Sequence, residues 1–151
     1  MSLVVLDSGV IAERANVTGR LYPHSRSIFR SIERGKLRAI VVPPTISEVY
    51  YVLWRLYEIQ GTGDPEKKAY SFCEYIYYLP GVEIADTTLK LSVESGRIKK
   101  RYKLALTDSY VLAASKLYGC KAVFRHREAE MRAVIEPLSK EYQIVFLEDY
   151  A

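Results

Sequence analysis

The chain has 151 residues, of which 49% are hydrophobic and 26% are charged, and its formal net charge is +4. This length suits one domain with one sizeable core, so we expect residues 1–151 to form a single domain, and the composition excludes a disordered or fibrous protein. No apolar run is long enough to span a bilayer and the N-terminus lacks a signal-peptide pattern, so we expect a cytoplasmic protein without a membrane partner. The excess of basic residues favours a polyanionic partner.

Apolar segments typical of β-strands alternate with helical patterns along the chain. Strands are predicted at 3–6, 39–42, 82–85 and 121–124, with a possible fifth at 144–147. Helices are predicted at 24–34, 45–60 and 65–79, from a cap at Thr87 or Thr88 to 102, and from a cap at Thr107 to 118, with Asp64 capping the third. Continuous apolar strands that alternate with helices indicate an α/β protein whose parallel sheet is covered on both faces.

Thirteen tyrosines are an unusual number for this length, and seven of them fall between residues 50 and 78. One interpretation is a platform on which nucleic-acid bases stack. The interpretation that we favour is a packed helical pair that buries the rings and leaves the hydroxyls at its rim, for example at a subunit interface.

Asp7 directly follows the first predicted strand and precedes Ser8 and Gly9. In an open parallel sheet, ligands bind beyond the carboxyl ends of the strands, so a carboxylate at this position is well placed for chemistry. The alternative is that Asp7 only caps the helix that follows.

Two further acids occupy comparable positions. Glu48 is expected in the first turn of the helix that leaves the second strand, and Asp108 in the first turn of the helix that starts near Thr107. The helix dipole alone would favour an acid at both places, which is the structural alternative.

Three acids that meet at one sheet edge would repel one another unless a cation lay between them. Hard divalent ions take oxygen ligands, and Cys73 and Cys120 match no zinc-ligand spacing. The predicted cofactor is therefore Mg²⁺ or Mn²⁺, ions that lower the pKa of bound water and neutralise charge on a phosphodiester.

Three segments that contain these acids resemble, in order, the motifs of PIN-domain proteins, especially the VapC-type toxins: residues 4–11, 45–49 and 106–114. The resemblance implies a three-layer α/β/α fold with a parallel five-stranded sheet of order 3-2-1-4-5. It also implies a metal-dependent endoribonuclease, frequent homodimerisation, and a small antitoxin protein as partner in the toxin subgroup. Carried over by position, the metal-binding acids are Asp7, Glu48 and Asp108, with supporting hydrogen bonds from Ser8 and Thr107.

The chain departs from the family in the fourth motif, which usually reads Thr-x-Asp. His126 stands nearest to the usual aspartate by counting, while Glu128 is our first choice for the missing acid and Glu130 the second. The departure supports an alternative function, a catalytically silent PIN-like module that binds RNA or a protein.

Basic residues near the acids are candidates for contacts with RNA phosphates. They are Arg125, next to the fourth motif, and Arg97, Lys100 and Arg101 in the densest basic run. A solvated helix face is the alternative explanation for that run.

Overall fold

The computed structural model describes residues 2–151. Five strands lie at Ser2–Leu6 (β1), Leu37–Val41 (β2), Val82–Ile84 (β3), Lys121–Phe124 (β4) and Ile144–Phe146 (β5). The helices are Ser8–Ala15 (α1), Tyr22–Glu33 (α2), Pro43–Ile59 (α3), Pro65–Tyr78 (α4), Leu89–Tyr102 (α5), Leu106–Tyr118 (α6) and Ala129–Glu141 (α7), with a 3₁₀ helix at Leu147–Tyr150.

The strands form one parallel sheet of order β3-β2-β1-β4-β5, as the family resemblance implies. Strand β1 is central, and its Val5 pairs in register with Ile40 of β2 and with Ala122 of β4. The strand order changes direction on either side of β1, so a crevice opens beyond its carboxyl end, where ligands bind in sheets of this kind.

Both faces of the sheet are buried, because successive strand residues point to opposite sides. On one face, Val5 belongs to a core that includes Ile98 of α5 and Met131 of α7. On the other face, Leu6 belongs to a core that includes Phe29 of α2 and Leu53 of α3. The result is the expected three-layer α/β/α arrangement, which explains the uninterrupted apolar strands.

All five predicted strands are present, with ends that differ by at most two residues. Helices α1 and α7 are the two that the pattern analysis did not predict. The α5 cap is Thr88, whose hydroxyl accepts from the Leu91 amide at 3.1 Å. Helix α6 starts instead at Leu106 after Ala105, so the predicted cap at Thr107 is wrong.

Within residues 2–151, no helix combines the length and apolar character that crossing a membrane requires.

Candidate active site

Asp7 lies at the switch point, between the end of β1 and the start of α1. Its Oδ2 accepts a hydrogen bond from the Gly9 amide at 3.1 Å, so it does cap α1. The residue is only 8% exposed and its side chain also lines the main cavity of the protein. The two interpretations of Asp7 are therefore compatible, since capping fixes the carboxylate at the edge of the cavity.

Three hydroxyl groups hold the carboxylate of Glu48. Ser8 donates to Oε1, while Thr107 and Tyr51 donate to Oε2 at 3.1 and 3.2 Å. The expected place of Glu48 was wrong by a turn, because α3 begins at Pro43 and Glu48 is its sixth residue. The helix dipole therefore does not explain why an acid stands at position 48. The hydrogen bonds of Glu48 with hydroxyl groups of α1 and α6 explain its position better.

Asp108 lies in the first turn of α6, as predicted, and it is 9% exposed. The preceding Thr107 cannot cap this helix, because it is already the second helical residue and its hydroxyl points to Glu48. Thr107 thus ties α6 to α3 at the site. Sequence reasoning identified Ser8 and Thr107 as supporting groups and missed Tyr51, whose spacing of three residues from Glu48 was the available signal.

The acids of four separate segments converge on one cavity of about 350 Å³. Its carboxylates are Asp7, Glu48, Asp108, Glu128 and Glu130, and its other polar side chains include Ser8, Thr107, Arg125 and His126. Among the residues that the structure describes, Arg125 is the one arginine or lysine on the cavity wall. A protein with a net positive charge therefore concentrates negative charge at one place.

Burial and crowding change the acidity of the two most buried of these five carboxyls. Burial raises the pKa of Asp7 to about 6, with repulsion from Glu48 adding to the effect and the Gly9 hydrogen bond opposing it. Burial raises the pKa of Asp108 to about 8, and the negative charges of Asp7, Glu48, Glu128 and Glu130 raise it further. A cation bound among these carboxylates would relieve the repulsion between them.

The groups that converge on the cavity suit a hard divalent ion, since such ions prefer oxygen ligands. The converging groups are carboxylates, and hydroxyl groups form hydrogen bonds with one of them, Glu48. In the present side-chain positions of residues 2–151, however, no three His, Cys, Asp or Glu side chains close around a common point. Glu48 faces its hydroxyl partners and Glu128 faces His126. A cation would therefore bind with a rearrangement of side chains inside an acidic cavity that already exists.

The three candidates for the acid of the fourth motif all line the cavity; they are His126, Glu128 and Glu130. His126 Nε2 lies 3.1 Å from Glu128 Oε1, and Arg125 Nε donates to His126 Nδ1 at 3.1 Å. Arg125 also pairs, at 3.3 Å, with Glu13, a buried α1 residue that sequence reasoning missed. No local pattern could reveal that pair, because 112 positions separate its members.

The basic run on α5 does not reach the cavity wall. Arg97 pairs with Glu94 at 2.9 Å and Arg101 with Glu141 at 3.3 Å, while Lys100 is exposed. Of the four predicted phosphate contacts, Arg125 is thus the one that adjoins the acids.

Comparisons with known proteins agree with this fold. The family model for the PIN domain matches residues 4–135 of the chain. No curated protein sequence matches it. Among solved structures, VapBC2 from Rickettsia felis bound to a promoter DNA fragment aligns with a TM-score of 0.63 at 9% identity, covering 95% of this chain and 98% of that one.

Two further structures give similar values. The sarcin-ricin loop cleaving toxin VapC20 from Mycobacterium tuberculosis aligns with a TM-score of 0.60 at 13% identity, covering 79% of this chain and 86% of that one. A toxin-antitoxin complex from Klebsiella pneumoniae aligns with a TM-score of 0.57 at 14% identity, covering 95% of this chain and 97% of that one. Likeness at such low identity establishes a shared fold.

Proposed function

Because the chain belongs to the PIN-domain family, we propose that it is an endoribonuclease that needs Mg²⁺ or Mn²⁺ to hydrolyse RNA phosphodiesters. The observation that carries the proposal is the convergence of five carboxylates on one cavity, with burial and mutual repulsion raising the pKa of two of them. Two of these carboxyls, Asp7 and Asp108, are buried, and burying carboxylates together costs stability, so the arrangement favours a binding function over a purely structural one.

The residues that would hold the ion are Asp7, Glu48, Asp108 and Glu128. A divalent ion bound there would supply a lower pKa for attacking water and positive charge against the phosphodiester. Ser8 and Thr107 keep the Glu48 carboxylate turned to the cavity edge. Arg125, on the cavity wall, is placed to contact a substrate phosphate, and Arg97, Lys100 and Arg101 would extend that contact along the RNA.

We further propose that the protein is the toxin of a toxin-antitoxin pair, with a small antitoxin protein as its partner. Two of the similar structures support this, since one is a toxin-antitoxin complex and the other a sarcin-ricin loop cleaving toxin. The proposed RNA substrate supports a cytoplasmic location, which is part of the proposal. Exposed tyrosines on α4, namely Tyr70, Tyr77 and Tyr78, supply a surface for a homodimer.

Cleavage of RNA by the purified protein in the presence of Mn²⁺ tests the proposal. Asp7→Asn keeps the size of the side chain but removes the central charge, so we expect it to lower the cleavage rate at least about 100-fold, beyond what loss of an outer-shell group costs. Equal cleavage by both proteins would contradict the proposal, because the activity would then come from a contaminant.

The alternative is a catalytically silent PIN-like module, which the histidine at the usual aspartate position favours. Metal binding separates the two functions, because an ion that binds only the folded state raises its melting temperature. If Mg²⁺ and Mn²⁺ give neither a melting shift nor calorimetric heat, and no RNA is cleaved, the module is the better account.

A further inference from the structure

We propose that Glu13, Arg125 and His126 form a positioning network that orients Glu128 as the fourth acid of the cavity. The last step of this inference rests on the proposed function, since it assumes that Glu128 faces a cation. The first steps concern hydrogen bonds within the protein and can be tested without any metal.

The network begins at a buried anchor. Glu13 lies in α1 and is only 4% exposed, and its Oε2 accepts from Arg125 Nη1 at 3.3 Å. A buried carboxylate that lost its arginine would be an uncompensated charge, so the pair strongly restrains both side chains. Gly9 allows the start of α1 to approach Arg125 closely, because a β-carbon added there would lie 3.0 Å from Arg125 Cβ.

Arg125 determines which nitrogen of His126 carries the proton. Its Nε lies 3.1 Å from His126 Nδ1, and a guanidinium group can only donate. His126 Nδ1 is therefore the acceptor, which leaves the ring proton on Nε2. This tautomer follows from the geometry and not from the sequence.

The Nε2 proton points to the acid in question. His126 Nε2 lies 3.1 Å from Glu128 Oε1, so the imidazole N–H donates to the carboxylate and leaves Oε2 available to the cavity. Glu128 needs such a restraint, because its side chain is 54% exposed. Carboxylates that ligate metals are themselves hydrogen-bonded by outer-shell groups that fix their orientation, and His126 would have that part here.

The network also explains how the altered fourth motif can still supply an acid. Glu128 lies two positions after the site of the usual aspartate, which His126 occupies. The longer glutamate side chain reaches the cavity, and His126 fixes its direction. The negative charge of Glu128 also acts on Asp108, because it contributes to raising the pKa of that carboxyl.

Gly19 gives a remote way to disturb the network. A β-carbon at this position would lie 1.8 Å from Glu13 Oε1, so the carboxylate of Glu13 would have to move. Gly63 is a matched control, because a β-carbon there meets nothing within 4 Å. Neither glycine lines the acidic cavity.

The first experiment measures the tautomer of His126 in the metal-free protein by ¹⁵N NMR at alkaline pH, where imidazoles are neutral. The chain has two histidines, so His24→Gln assigns the signals. We expect the Nε2–H tautomer in the parent protein and a mixture of tautomers in Arg125→Met. A parent protein with the Nδ1–H tautomer would overturn the network, whether or not the protein is a nuclease.

The second experiment measures the dissociation constant of Mn²⁺ by calorimetry. We expect Gly19→Ala and His126→Phe to weaken binding about tenfold, and His126→Gln, whose amide can still donate to Glu128, to recover most of the loss. Gly63→Ala should bind as the parent does. Unaltered affinity in both Gly19→Ala and His126→Phe would refute the network.

The two experiments also separate this inference from the proposed function. If the parent protein binds no Mn²⁺, the proposed function fails and the NMR result alone decides the network. Because Gly19→Ala changes a packed region, circular dichroism must show that the variant folds. If it does not fold, the variants of the half-buried His126 provide the independent test.

Discussion

Asp108 is the carboxyl of the cavity whose pKa is raised furthest. Burial and four neighbouring carboxylates raise its pKa to about 8 from the ordinary value of 3.8. The folded protein therefore binds this proton more tightly than the unfolded chain does. The contribution of Asp108 to stability is complete below about pH 4 and is lost as the pH rises through about 8.

Asp108→Asn removes this pH-dependent cost while keeping the shape of the side chain. In the presence of a chelator, we expect the variant to melt roughly 5 °C above the parent at about pH 8, and at nearly the same temperature near pH 4. Differential scanning calorimetry at both pH values measures the effect.

Addition of Mn²⁺ should reverse the order at alkaline pH. The ion stabilises the parent by binding to the folded state, whereas the variant lacks one ligand and gains little. A metal-free variant that melts below the parent at alkaline pH would show that ionised Asp108 contributes favourable contacts and not strain.

Asp7, Glu48 and Asp108 could be predicted from sequence because each lies near a strand end or helix start, which a local pattern reveals. Glu13 could not, because its only assigned role depends on the packing of α1 against the end of β4. The rotamer of Glu48 could not be predicted either, since it depends on three hydroxyl groups, one each from α1, α6 and its own helix α3.

Helix ends depend on backbone hydrogen bonds that the sequence only partly specifies. Thr87 and Thr88 were equally good cap candidates, and the structure selects Thr88, whose hydroxyl accepts from the Leu91 amide. Asp64 stands at the cap position of α4 as predicted, yet its side chain forms no capping bond and its φ is 52°. Residue type therefore indicates where a helix begins more reliably than how its first amides are satisfied.

Thr88→Ala should destabilise the protein by about 1 kcal/mol, because the Leu91 amide loses its acceptor. Thermal unfolding is expected to shift down by about 3 °C. Mn²⁺ affinity and RNA cleavage should not change, since Thr88 does not line the cavity.

Thr87→Ala is the matched control for this substitution. The neighbouring threonine is also exposed but does not cap α5, so its loss should leave the melting temperature within experimental error. Equal destabilisation by both substitutions would mean that β-branching before α5, and not the cap, stabilises this segment.

The sheet could be predicted at the level of elements because strands buried on both faces are continuously apolar. Helices α1 and α7 were missed for two physical reasons. Helix α1 is only eight residues long, so it contributes little periodicity. Helix α7 contains Pro137, which normally argues against a helix, and packing of Met131 and Leu138 in the core outweighs that local cost.

The molecule as a whole separates its charges. Its net charge is +4, yet five carboxylates share one cavity and the basic run on α5 lies outside it. For an RNA substrate, positive surface would attract the backbone, while the acidic cavity would admit it only together with cations. Binding and cleavage should therefore respond to different substitutions.

Replacing Arg97, Lys100 and Arg101 together by glutamine tests this separation. We expect weaker RNA binding and a salt dependence whose logarithmic slope falls by up to about 2, because each lost phosphate contact contributes about 0.7. Fluorescence anisotropy at several salt concentrations, with Ca²⁺ in place of Mn²⁺ to limit cleavage, measures both quantities.

Lys67 and Lys68, exposed on α4, provide the control when both are changed to glutamine. This change removes two positive charges, against three on α5, from a helix that lies elsewhere in the chain. If both sets of substitutions lower the salt slope in proportion to the charge removed, RNA responds to total charge and α5 has no special part. Mn²⁺ affinity should be unchanged in either case, since none of these residues lines the cavity.

The central position of β1 has a consequence for how the protein is made. Val4 of β1 pairs with Lys121 of β4, so the first and fourth strands meet only after most of the chain has been synthesised. The acids come from both sides of that pairing, at positions 7, 48, 108 and 128. A nascent chain on the ribosome therefore cannot bring the four segments of the cavity together until residue 128 has emerged, and any chemistry of the cavity would be delayed until then.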